Sequence, residues 1–333
     1  MTHKLATIPG DGIGPDIVAA ALSVVRATGV EVDITEFDIG ATRFLRDGHV
    51  LDDDEVEQFR AFDAILKGPL GPPVGDTRIP GGTIERGIIL KLRFALDQYI
   101  NLRPFEGTDV RGRPAEFVVV RENTEGSYGG EGGFLRKGTP HEVATQGSVN
   151  TRMGVERCIR HAFELARGRR RRHLTLVHKT NVLTFAGDLW QRTFDAVAAD
   201  YDDIDTAYNH VDAACIYLVD DPQRYDVIVT DNLFGDIITD LAGAVTGGVG
   251  LAGTGNLNPD RTSPSMFEPV HGSAHDIVGT DAVNPSSQIL SAAMMLEFLG
   301  EAEAGRRIRT ALAEVLAGAP VPTKIGDLVA ERV

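Results

Sequence analysis

The sequence predicts an α/β protein built around a substantially parallel sheet. Short apolar runs with strand character alternate with helical patterns along almost the whole chain, which is typical of successive β-α-β units. With 333 residues the chain can bury a large core and is expected to form two domains. It has no fixed-period repeat and no low-complexity linker, so continuous strands or helices must join the domains.

The elements follow one another in a regular order. Residues 4–10 (KLATIPG) predict a strand, 15–29 a helix and 30–40 a second strand. Residues 52–62 (DDDEVEQFRAF) predict a helix, because aspartates at its start suit the positive end of a helix dipole. A strand follows at 63–71. Further strands, with helices between them, are predicted at 115–122, 173–179, 203–211 and 225–231.

The composition excludes several classes of function. The 33 basic and 48 acidic residues give a net charge of −15, which argues against a nucleic-acid or anionic-membrane partner. The basic run at 167–173 follows a predicted helix, where cations suit the negative C-terminal end. The two cysteines, Cys158 and Cys215, are too few for a disulfide framework or a zinc cage, and we expect both in the core.

The N-terminal residues resemble no signal peptide, and no apolar run approaches the roughly 18 residues of a membrane span. We therefore expect a soluble, cytoplasmic protein with no membrane partner.

A glycine-rich turn at 10–15 (GDGIGP) follows the first strand, as a dinucleotide-binding turn would. The G-x-G-x-x-G spacing fails, because Pro15 stands where the third glycine belongs. Proline in a first helical turn and glycines in a tight turn are a sufficient structural explanation. The sequence thus argues against the Rossmann dinucleotide motif.

Asp236 and Asp240 stand four residues apart in an otherwise apolar segment. On a helix this spacing places both carboxylates on one face, one turn apart. Two like charges in apolar surroundings need a cation or arginines to neutralise them. With Asp212 as a third carboxylate, the pattern indicates a site for a hard divalent metal.

Three arginines occur in short, distinctive segments. Arg93 and Arg103 lie in LKLRFALDQYINLRP, and Arg121 ends the strand FVVVR. Arginine offers a fork of donors that matches a carboxylate, so the three predict a site for a small polycarboxylate. A single arginine in such a place would more often be an ion-pair partner at the surface.

Two further side chains are candidates for acid–base chemistry. Tyr128 follows Arg121 by seven residues, and a tyrosine beside a metal or cations can have a lowered pKa and donate a proton. The alternative is an ordinary half-buried loop tyrosine. Lys179 ends a strand and is a candidate general base, or equally a solvated turn lysine.

The segment FEPVHGSAHDIVGTDAVNP (267–285) is open to two interpretations. Its glycine, serine and histidine residues could present backbone N–H groups to a pyrophosphate, and Asp276 could accept hydrogen bonds from a ribose. A glycine-rich connecting loop would have the same composition.

Ordered segments across nearly the whole chain resemble the β-decarboxylating dehydrogenases, whose members act on isopropylmalate, isocitrate, homoisocitrate or tartrate. The segments are IPGDGIGPD, NLRP, VVRENTEG, HKTNVL, VTDNLFGDIITDLA, MFEPVHGSA and VNPSSQILSAAMMLE. The resemblance implies a two-domain, doubly wound fold without the Rossmann motif. It makes residues 1–98 with 250–333 a discontinuous cofactor-binding domain, and residues 99–249 a substrate, metal and dimerisation domain.

The same resemblance implies roles for the candidate residues. Asp212, Asp236 and Asp240 would bind Mg²⁺ or Mn²⁺, and Arg93, Arg103 and Arg121 would hold the carboxylates of a malate. Tyr128, Lys179 and Asp212 would be catalytic, with Lys179 and Asp212 reaching the active site of the partner in a homodimer. The cofactor would be NAD, bound by His271, Gly272, Ser273, Ala274, Asp276, Ile277, Asn284 and Asn181.

The resemblance also bears on the substrate. Ile88, Ile89 and Leu90 occupy the positions that meet the substrate's side group, where isocitrate enzymes carry serine and homoisocitrate enzymes arginine. Apolar residues there favour a 3-alkylmalate. The expected reaction is the NAD-dependent oxidative decarboxylation of (2R,3S)-3-isopropylmalate to 4-methyl-2-oxopentanoate, as in leucine biosynthesis. The alternative is another 3-substituted malate: a different 3-alkylmalate, tartrate, homoisocitrate or isocitrate.

Overall fold

The computed structural model describes residues 2–248 and 252–333, which form two compact units. Unit 1 comprises Met1–Gln98 and Gly248–Val333, and unit 2 comprises Tyr99–Gly247. The sequence-based domain boundary between residues 249 and 250 lies outside the described residues. Within the described ranges, no helix is both long enough and apolar enough to cross a membrane.

Unit 1 contains a five-stranded arrangement with the order β2-β1-β3-β12-β11. The strands are β1 (His3–Ile8), β2 (Val32–Glu36), β3 (Ala64–Lys67), β11 (Gly253–Leu257) and β12 (Ser265–Pro269). The pairs β1–β2, β1–β3 and β3–β12 are parallel, whereas β11–β12 is antiparallel. Strands β3, β11 and β12 are buried along their whole length, as expected of strands covered on both faces.

Helices surround the strands of unit 1. They are α1 (Gly14–Ala27), α2 (Ala41–Asp47), α3 (Asp53–Phe59), α4 (Lys91–Ala95), α9 (Ser286–Phe298), α10 (Ala302–Ala317) and α11 (Ile325–Ala330). The predicted acidic start of the helix at 52–62 is confirmed, since Asp52 and Glu55 form a reciprocal capping box at the start of α3.

The helix that carries Arg93 is not regular. A π-helical turn spans Glu85–Leu90 and continues directly into α4. Each turn of a π-helix holds more residues than an α-helical turn, and such turns are rare. One hydrophobic cluster contains four residues spaced by four along this segment: Ile84, Ile88, Leu92 and Leu96. In an uninterrupted α-helix, with 3.6 residues per turn, each of these positions would be rotated further round the helix than the one before.

Unit 2 has the strand order β4-β5-β10-β8-β9. The strands are β4 (Ile100–Thr108), β5 (Pro114–Glu122), β8 (His173–His178), β9 (Asp205–His210) and β10 (Val227–Thr230). Pairs β5–β10, β10–β8 and β8–β9 are parallel, and β4–β5 is antiparallel. A separate exposed hairpin joins β6 (Gly132–Leu135) to β7 (Val143–Gln146).

Unit 2 has four helices within its described residues, three between its strands and a fourth, α8, after its last strand. They are α5 (Arg152–Gly168), α6 (Ala186–Ala198), α7 (Val211–Asp220) and α8 (Asn232–Val245). Parallel strands linked by helices confirm the α/β fold and the largely parallel pairing that the sequence predicts. Because the carboxyl ends of parallel strands meet at one edge, Arg121 and Lys179, which end or follow β5 and β8, are brought to the same edge of unit 2.

The basic run has a structural role, as expected. It begins in the last turn of α5, and just after the helix Arg169 donates to Asp226 at 2.6 Å and to Glu116 at 2.9 Å. Arg171 donates to three main-chain carbonyl oxygens at 2.7–3.0 Å. These donors hold the segment between α5 and β8.

The glycine-rich turn at 10–15 is also structural. The buried side chain of Asp11 accepts hydrogen bonds from the main-chain N–H groups of Ala41 and Thr42, both at 2.8 Å, and of Gly71 at 3.0 Å. Gly12 has φ +59°, and a Cβ atom there would lie 1.9 Å from the carbonyl oxygen of Ser273. The turn is therefore packed against protein backbone.

Candidate functional site

Asp236 lies at the centre of a polar cluster in unit 2. It is carried by α8, whose start is capped by Asp231 accepting from the N–H of Phe234 at 2.8 Å. The predicted spacing holds: Asp240 follows Asp236 by one helical turn on α8. The side chain of Asp236 is 39 % exposed and that of Asp240 72 % exposed.

Arg121 reaches this cluster from the end of β5. Its Nη1 donates to Asp236, while its Nε and Nη2 donate to the side-chain oxygen of Asn232 at 3.1 and 2.7 Å. A Cβ atom at Gly235 would lie only 2.5 Å from Cγ of Arg121, so glycine is needed where the arginine passes. One turn of α8 thus fixes Arg121: its polar side chains accept hydrogen bonds from the guanidinium, and its glycine packs against the aliphatic part of the arginine side chain.

Arg103 lies beside both carboxylates of α8. From β4 it donates to Asn101 at 2.7 Å and to the hydroxyl of Thr239 at 2.6 Å. Its guanidinium nitrogens lie 3.6 Å from an oxygen of Asp236 and 3.7 Å from one of Asp240. Two of the three predicted clamp arginines therefore converge on the predicted metal ligands.

The electrostatics at Asp236 favour the carboxylate form. Burial by itself would raise the pKa of Asp236, but the charge of Arg121, the hydroxyl of Tyr128 and the charge of Arg103 outweigh burial and lower it. Asp236 consequently stays ionised and able to bind a cation.

Tyr128 donates its phenolic hydrogen to Asp236 at 2.8 Å, and the guanidinium carbon of Arg121 lies 5.2 Å from its ring centroid. The sequence-based expectation of a lowered pKa for Tyr128 is wrong when only the surrounding protein groups act on it. Burial raises the pKa of Tyr128, and the carboxylate of Asp236 raises it further, against the opposing charge of Arg121. The phenol is therefore held in its protonated form.

Lys179 and Asp212 form a second pair in unit 2. Lys179 directly follows β8, and Asp212 lies in the first turn of α7, so that Nζ of the lysine is 2.7 Å from Oδ1 of the aspartate. The hydrogen bond from Lys179 lowers the pKa of Asp212. The Asp212 side chain is 67 % exposed and open to solvent.

The three predicted metal ligands do not gather within one chain. Among the described residues, the carboxylates of Asp212, Asp236 and Asp240 do not come within 4.8 Å of one another as a set. A set that does, His49 with Asp52 and Glu55, belongs to the capping box of α3. Asp236 and Asp240 still offer two ionised or exposed carboxylates on one face, and all-oxygen ligation fits Mg²⁺ or Mn²⁺.

Arg93, the third predicted clamp arginine, is held within unit 1. Its Nη2 lies 3.3 Å from Oε1 of Glu268, and Nζ of Lys67 lies 2.6 Å from Oε2 of the same carboxylate. Asn256 donates to Glu268 at 2.6 Å. Burial would raise the pKa of Glu268, but the charges of Lys67 and Arg93 outweigh it and lower the pKa to about 2.

The three apolar residues before Arg93 have different environments. Ile88 is completely buried in the hydrophobic cluster of unit 1, whereas Ile89 and Leu90 are half-buried. The structure therefore places Ile88 in the core, and leaves Ile89 and Leu90 with surface that a ligand could contact.

The predicted cofactor loop is shaped by the glycine-rich turn. The N–H of Ile13 donates to the carbonyl of Ser273 at 3.0 Å, and the Ser273 hydroxyl donates to Gly71 O at 3.0 Å. Ala274 has φ +40° and precedes a single 3₁₀ turn at His275–Ile277. Ser273 is thus a buried anchor of the loop.

The other predicted cofactor residues vary in exposure. Gly272 and Asp276 are exposed, His271 is half-buried, and Ile277 packs beside Ile13, Ile17 and Val283. Burial lowers the pKa of His271. Asn284 accepts from the N–H of Ser286 at the start of α9 at 2.9 Å, and Asn181 is exposed in the turn after Lys179.

Sequence reasoning missed three residues that fix the candidate groups. Asn232 holds Arg121, Glu268 holds Arg93, and Tyr208 bonds the segment around Lys179. Asn232 lies in the segment VTDNLFG and Glu268 in MFEPVHG. A polar residue in such apolar surroundings is a signal that could have marked both as candidates. Nothing in the local sequence singled out Tyr208.

Comparisons with known proteins agree on one family. The family model described as isocitrate/isopropylmalate dehydrogenase matches residues 4–332. A 3-isopropylmalate dehydrogenase of Corynebacterium efficiens is 55 % identical over 99 % of both chains. One of Nocardia farcinica is 53 % identical over 99 % of this chain and 100 % of its own.

A solved structure gives the same result. The isocitrate dehydrogenase of Methylococcus capsulatus superposes with a TM-score of 0.89 at 40 % identity, covering 99 % of each chain. The match of fold, length and sequence across nearly all residues leads to one conclusion: the chain belongs to the isocitrate/isopropylmalate dehydrogenase family.

Proposed function

We propose that this enzyme catalyses the NAD-dependent oxidative decarboxylation of (2R,3S)-3-isopropylmalate to 4-methyl-2-oxopentanoate with Mg²⁺ or Mn²⁺, as in leucine biosynthesis. The observation that carries the proposal is the cluster around Asp236, where two arginines and a tyrosine surround a carboxylate one helical turn from Asp240. This arrangement combines anion binding, cation binding and a proton donor.

Arg103 and Arg121 would bind the carboxylates of the malate, together with Arg93. Arg103 and Arg121 are largely buried and have fixed hydrogen bonds, so little side-chain freedom is lost when an anion binds. Asp236 and Asp240, with Asp212 of a partner subunit, would hold the divalent ion. When bound, the ion draws electron density from the substrate's C2 oxygen, and NAD⁺ accepts the C2 hydride.

Lys179 would remove the proton of the C2 hydroxyl, directly or through Asp212 or a water molecule. Its 2.7 Å contact with Asp212 provides a path by which the proton can be passed on. Tyr128 would deliver a proton to C3 after CO₂ leaves. Its raised pKa keeps the hydrogen on the phenol until that step.

Ile89 and Leu90 support a substrate with an apolar side group. Their half-buried side chains offer apolar surface one turn before Arg93. Burying three side-group carbons would contribute about 2 kcal/mol at roughly 0.8 kcal/mol per CH₂, whereas an unpaired carboxylate against the same residues would be unfavourable. We therefore favour isopropylmalate over isocitrate or homoisocitrate.

We also propose that the active form is a homodimer with shared active sites. On α7 and α8, Ile216 and Ile237 are 60 % and 53 % exposed, and the β6–β7 hairpin exposes Phe134 and Leu135. Large apolar side chains that are exposed in a single chain are often covered in protein interfaces. A second copy would also supply the Lys179–Asp212 pair that the Asp236 cluster needs.

We propose a cytoplasmic location, supported by the net charge of −15 and by two cysteines that are free thiols. The second candidate function is oxidation of another 3-substituted malate. It is supported by the 40 % identity to an isocitrate dehydrogenase.

The test is NADH production by the purified enzyme with Mn²⁺ across isopropylmalate, other 3-alkylmalates, isocitrate, homoisocitrate and tartrate. We expect the highest kcat/KM with isopropylmalate, and loss of turnover when a chelator removes the metal. A higher kcat/KM with isocitrate or tartrate would refute the proposed substrate, and turnover without a divalent ion would refute the metal site.

A further inference from the structure

The hydroxyl of Tyr208 is surrounded by the residues on either side of Lys179. Tyr208 lies on β9, next to β8 in parallel pairing. Its hydroxyl is 3.1 Å from the N–H of Thr180, 2.9 Å from the Thr180 hydroxyl and 3.2 Å from the carbonyl oxygen of His178. One phenol thus contacts both chain neighbours of the lysine.

The same hydroxyl contacts the helix that carries Asp212. It lies 2.8 Å from Nδ1 of His210, which occupies the N-cap position of α7, two residues before Asp212. The rings of Tyr208 and His210 also meet edge to face, with centroids 5.1 Å apart. A single group therefore links the turn that presents Lys179 to the helix start that presents Asp212.

A hydroxyl has one hydrogen to donate and two lone pairs to accept with. The main-chain N–H of Thr180 takes one lone pair, and the Thr180 hydroxyl, Nδ1 of His210 and the carbonyl oxygen of His178 share the other lone pair and the hydrogen. The site is thus fully used, so a phenylalanine would leave the main-chain N–H of Thr180 without this acceptor.

Lys179 itself has a long, flexible side chain, which makes its backbone placement important. The general-base role needs Nζ within about 3 Å of the proton it takes, and small displacements of such a group can lower rates by roughly 100-fold. Asp212 fixes the far end of the lysine at 2.7 Å, but its own position depends on the start of α7.

We propose that Tyr208 is a positioning residue that sets the Lys179–Asp212 pair for proton transfer. It does so by fixing the turn at His178–Thr180 and the N-cap of α7 with one hydroxyl. The inference rests on the proposed function, because it requires Lys179 to be the general base.

The test is the kinetics of Tyr208→Phe with isopropylmalate, NAD and Mn²⁺, which keeps the ring and removes only the hydroxyl. We expect kcat to fall about 10- to 100-fold while both KM values change less than about twofold, since a displaced base affects the chemical step and leaves substrate contacts in place. The matched control is Tyr201→Phe, which loses a 2.7 Å hydrogen bond to Glu164 in the same unit. We expect the control to keep wild-type kcat.

A double-mutant cycle separates positioning from general stability. In a Lys179→Ala background the Tyr208→Phe change should not lower the residual rate further, because the group it positions is absent. Equal losses in both backgrounds, or a kcat within twofold of wild type, would overturn the inference. Thr180→Val removes one partner of the phenol and keeps the main chain. If Tyr208→Phe does not fold, Thr180→Val should show a smaller kcat loss that again disappears in the Lys179→Ala background, and an unchanged kcat would refute the proposal.

Lys179→Ala alone tests the proposed mechanism separately from the role of Tyr208. Wild-type turnover in that variant would remove Lys179 as the base, and with it both the proposed mechanism and the role of Tyr208. A strong loss in Lys179→Ala combined with no effect of Tyr208→Phe would refute the positioning role and leave the proposed function in place.

Discussion

Nζ of Lys67 lies 2.6 Å from Oε2 of Glu268, and both side chains are almost completely buried in unit 1. The other oxygen of Glu268 faces Arg93 at 3.3 Å. One carboxylate therefore compensates two buried cations, and one of them is a predicted substrate-binding arginine. Glu268 accordingly links the stability of unit 1 to the placement of Arg93.

Glu268→Gln should lower the free energy of unfolding by about 3–5 kcal/mol. The substitution leaves Lys67 and Arg93 buried without their shared counter-charge, and breaking a buried ion pair has an effect of that size. Urea denaturation followed by circular dichroism measures the change. Glu303→Gln, which removes an exposed carboxylate paired with Arg306, is the control and should leave the midpoint unchanged.

The pH dependence of stability should carry a contribution from Glu268. Its pKa is about 2 in the folded chain and about 4.3 in an unfolded one, so the folded state binds fewer protons between these values. The contribution, about 3 kcal/mol, is complete above about pH 5.5 and is lost as the pH falls towards 2. The difference in stability between wild type and Glu268→Gln should shrink over that interval. A constant difference from pH 6 to pH 2.5 would contradict the assignment.

The sequence predicted the site best where local spacing decides the geometry. Asp236 and Asp240 share a helical face because they are four residues apart, and Arg121 and Lys179 lie at one sheet edge because each stands at the carboxyl end of a parallel strand. The contact of Tyr128 with Asp236 joins residues 108 positions apart, and no local pattern encodes it.

The features of the fold and site that the sequence did not predict depend on packing between segments far apart in the chain. Glu268 finds Lys67 across about 200 residues, so its role as a counter-charge is visible only in the fold. The π turn at Glu85–Leu90 likewise changes which residues face the core. Within this turn Ile88 joins the hydrophobic cluster, while Ile89 and Leu90 keep exposed surface, a division among the three apolar residues that the sequence left open.

Leu90→Arg should lower kcat/KM for isopropylmalate by roughly 30-fold. The change replaces apolar surface worth about 2 kcal/mol to the substrate's side group with a charge. Steady-state kinetics with isopropylmalate and isocitrate measure the effect, and the ratio should move towards isocitrate because its extra carboxylate can pair with the new arginine. Leu45→Arg on α2, which alters a leucine that is 37 % exposed, should keep wild-type values. Unchanged kinetics in Leu90→Arg would remove Leu90 from the substrate site.

NAD should be preferred over NADP, because the exposed carboxylate of Asp276 repels a 2′-phosphate. Asp276→Lys should raise kcat/KM for NADP and lower it for NAD, since it exchanges the proposed ribose acceptor for a cation. Asp281→Lys makes the same charge change in the same unit and should leave the cofactor ratio near its wild-type value. Comparable kcat/KM for the two cofactors in the wild-type enzyme would overturn the preference.

Shared active sites predict complementation between two inactive variants. Asp236→Asn removes a proposed metal ligand, and Lys179→Ala removes the proposed base, so each homodimer should be inactive. A hybrid dimer would contain one site with both changes and one site built from the intact Asp236 of one subunit and the intact Lys179 of the other. Because random mixing makes half of the dimers hybrids with one good site each, refolding the variants together should restore about a quarter of the wild-type activity.

The control mixes Asp236→Asn with Tyr128→Phe, two changes that fall in the same half of the shared site. Every site in that hybrid is missing one of the two groups, since Tyr128 and Asp236 are bonded within one chain at 2.8 Å. We therefore expect restoration in the first mixture and none in the second. Activity that stays absent in the first mixture, with hybrid dimers verified by mass spectrometry, would mean that each site is built from a single chain.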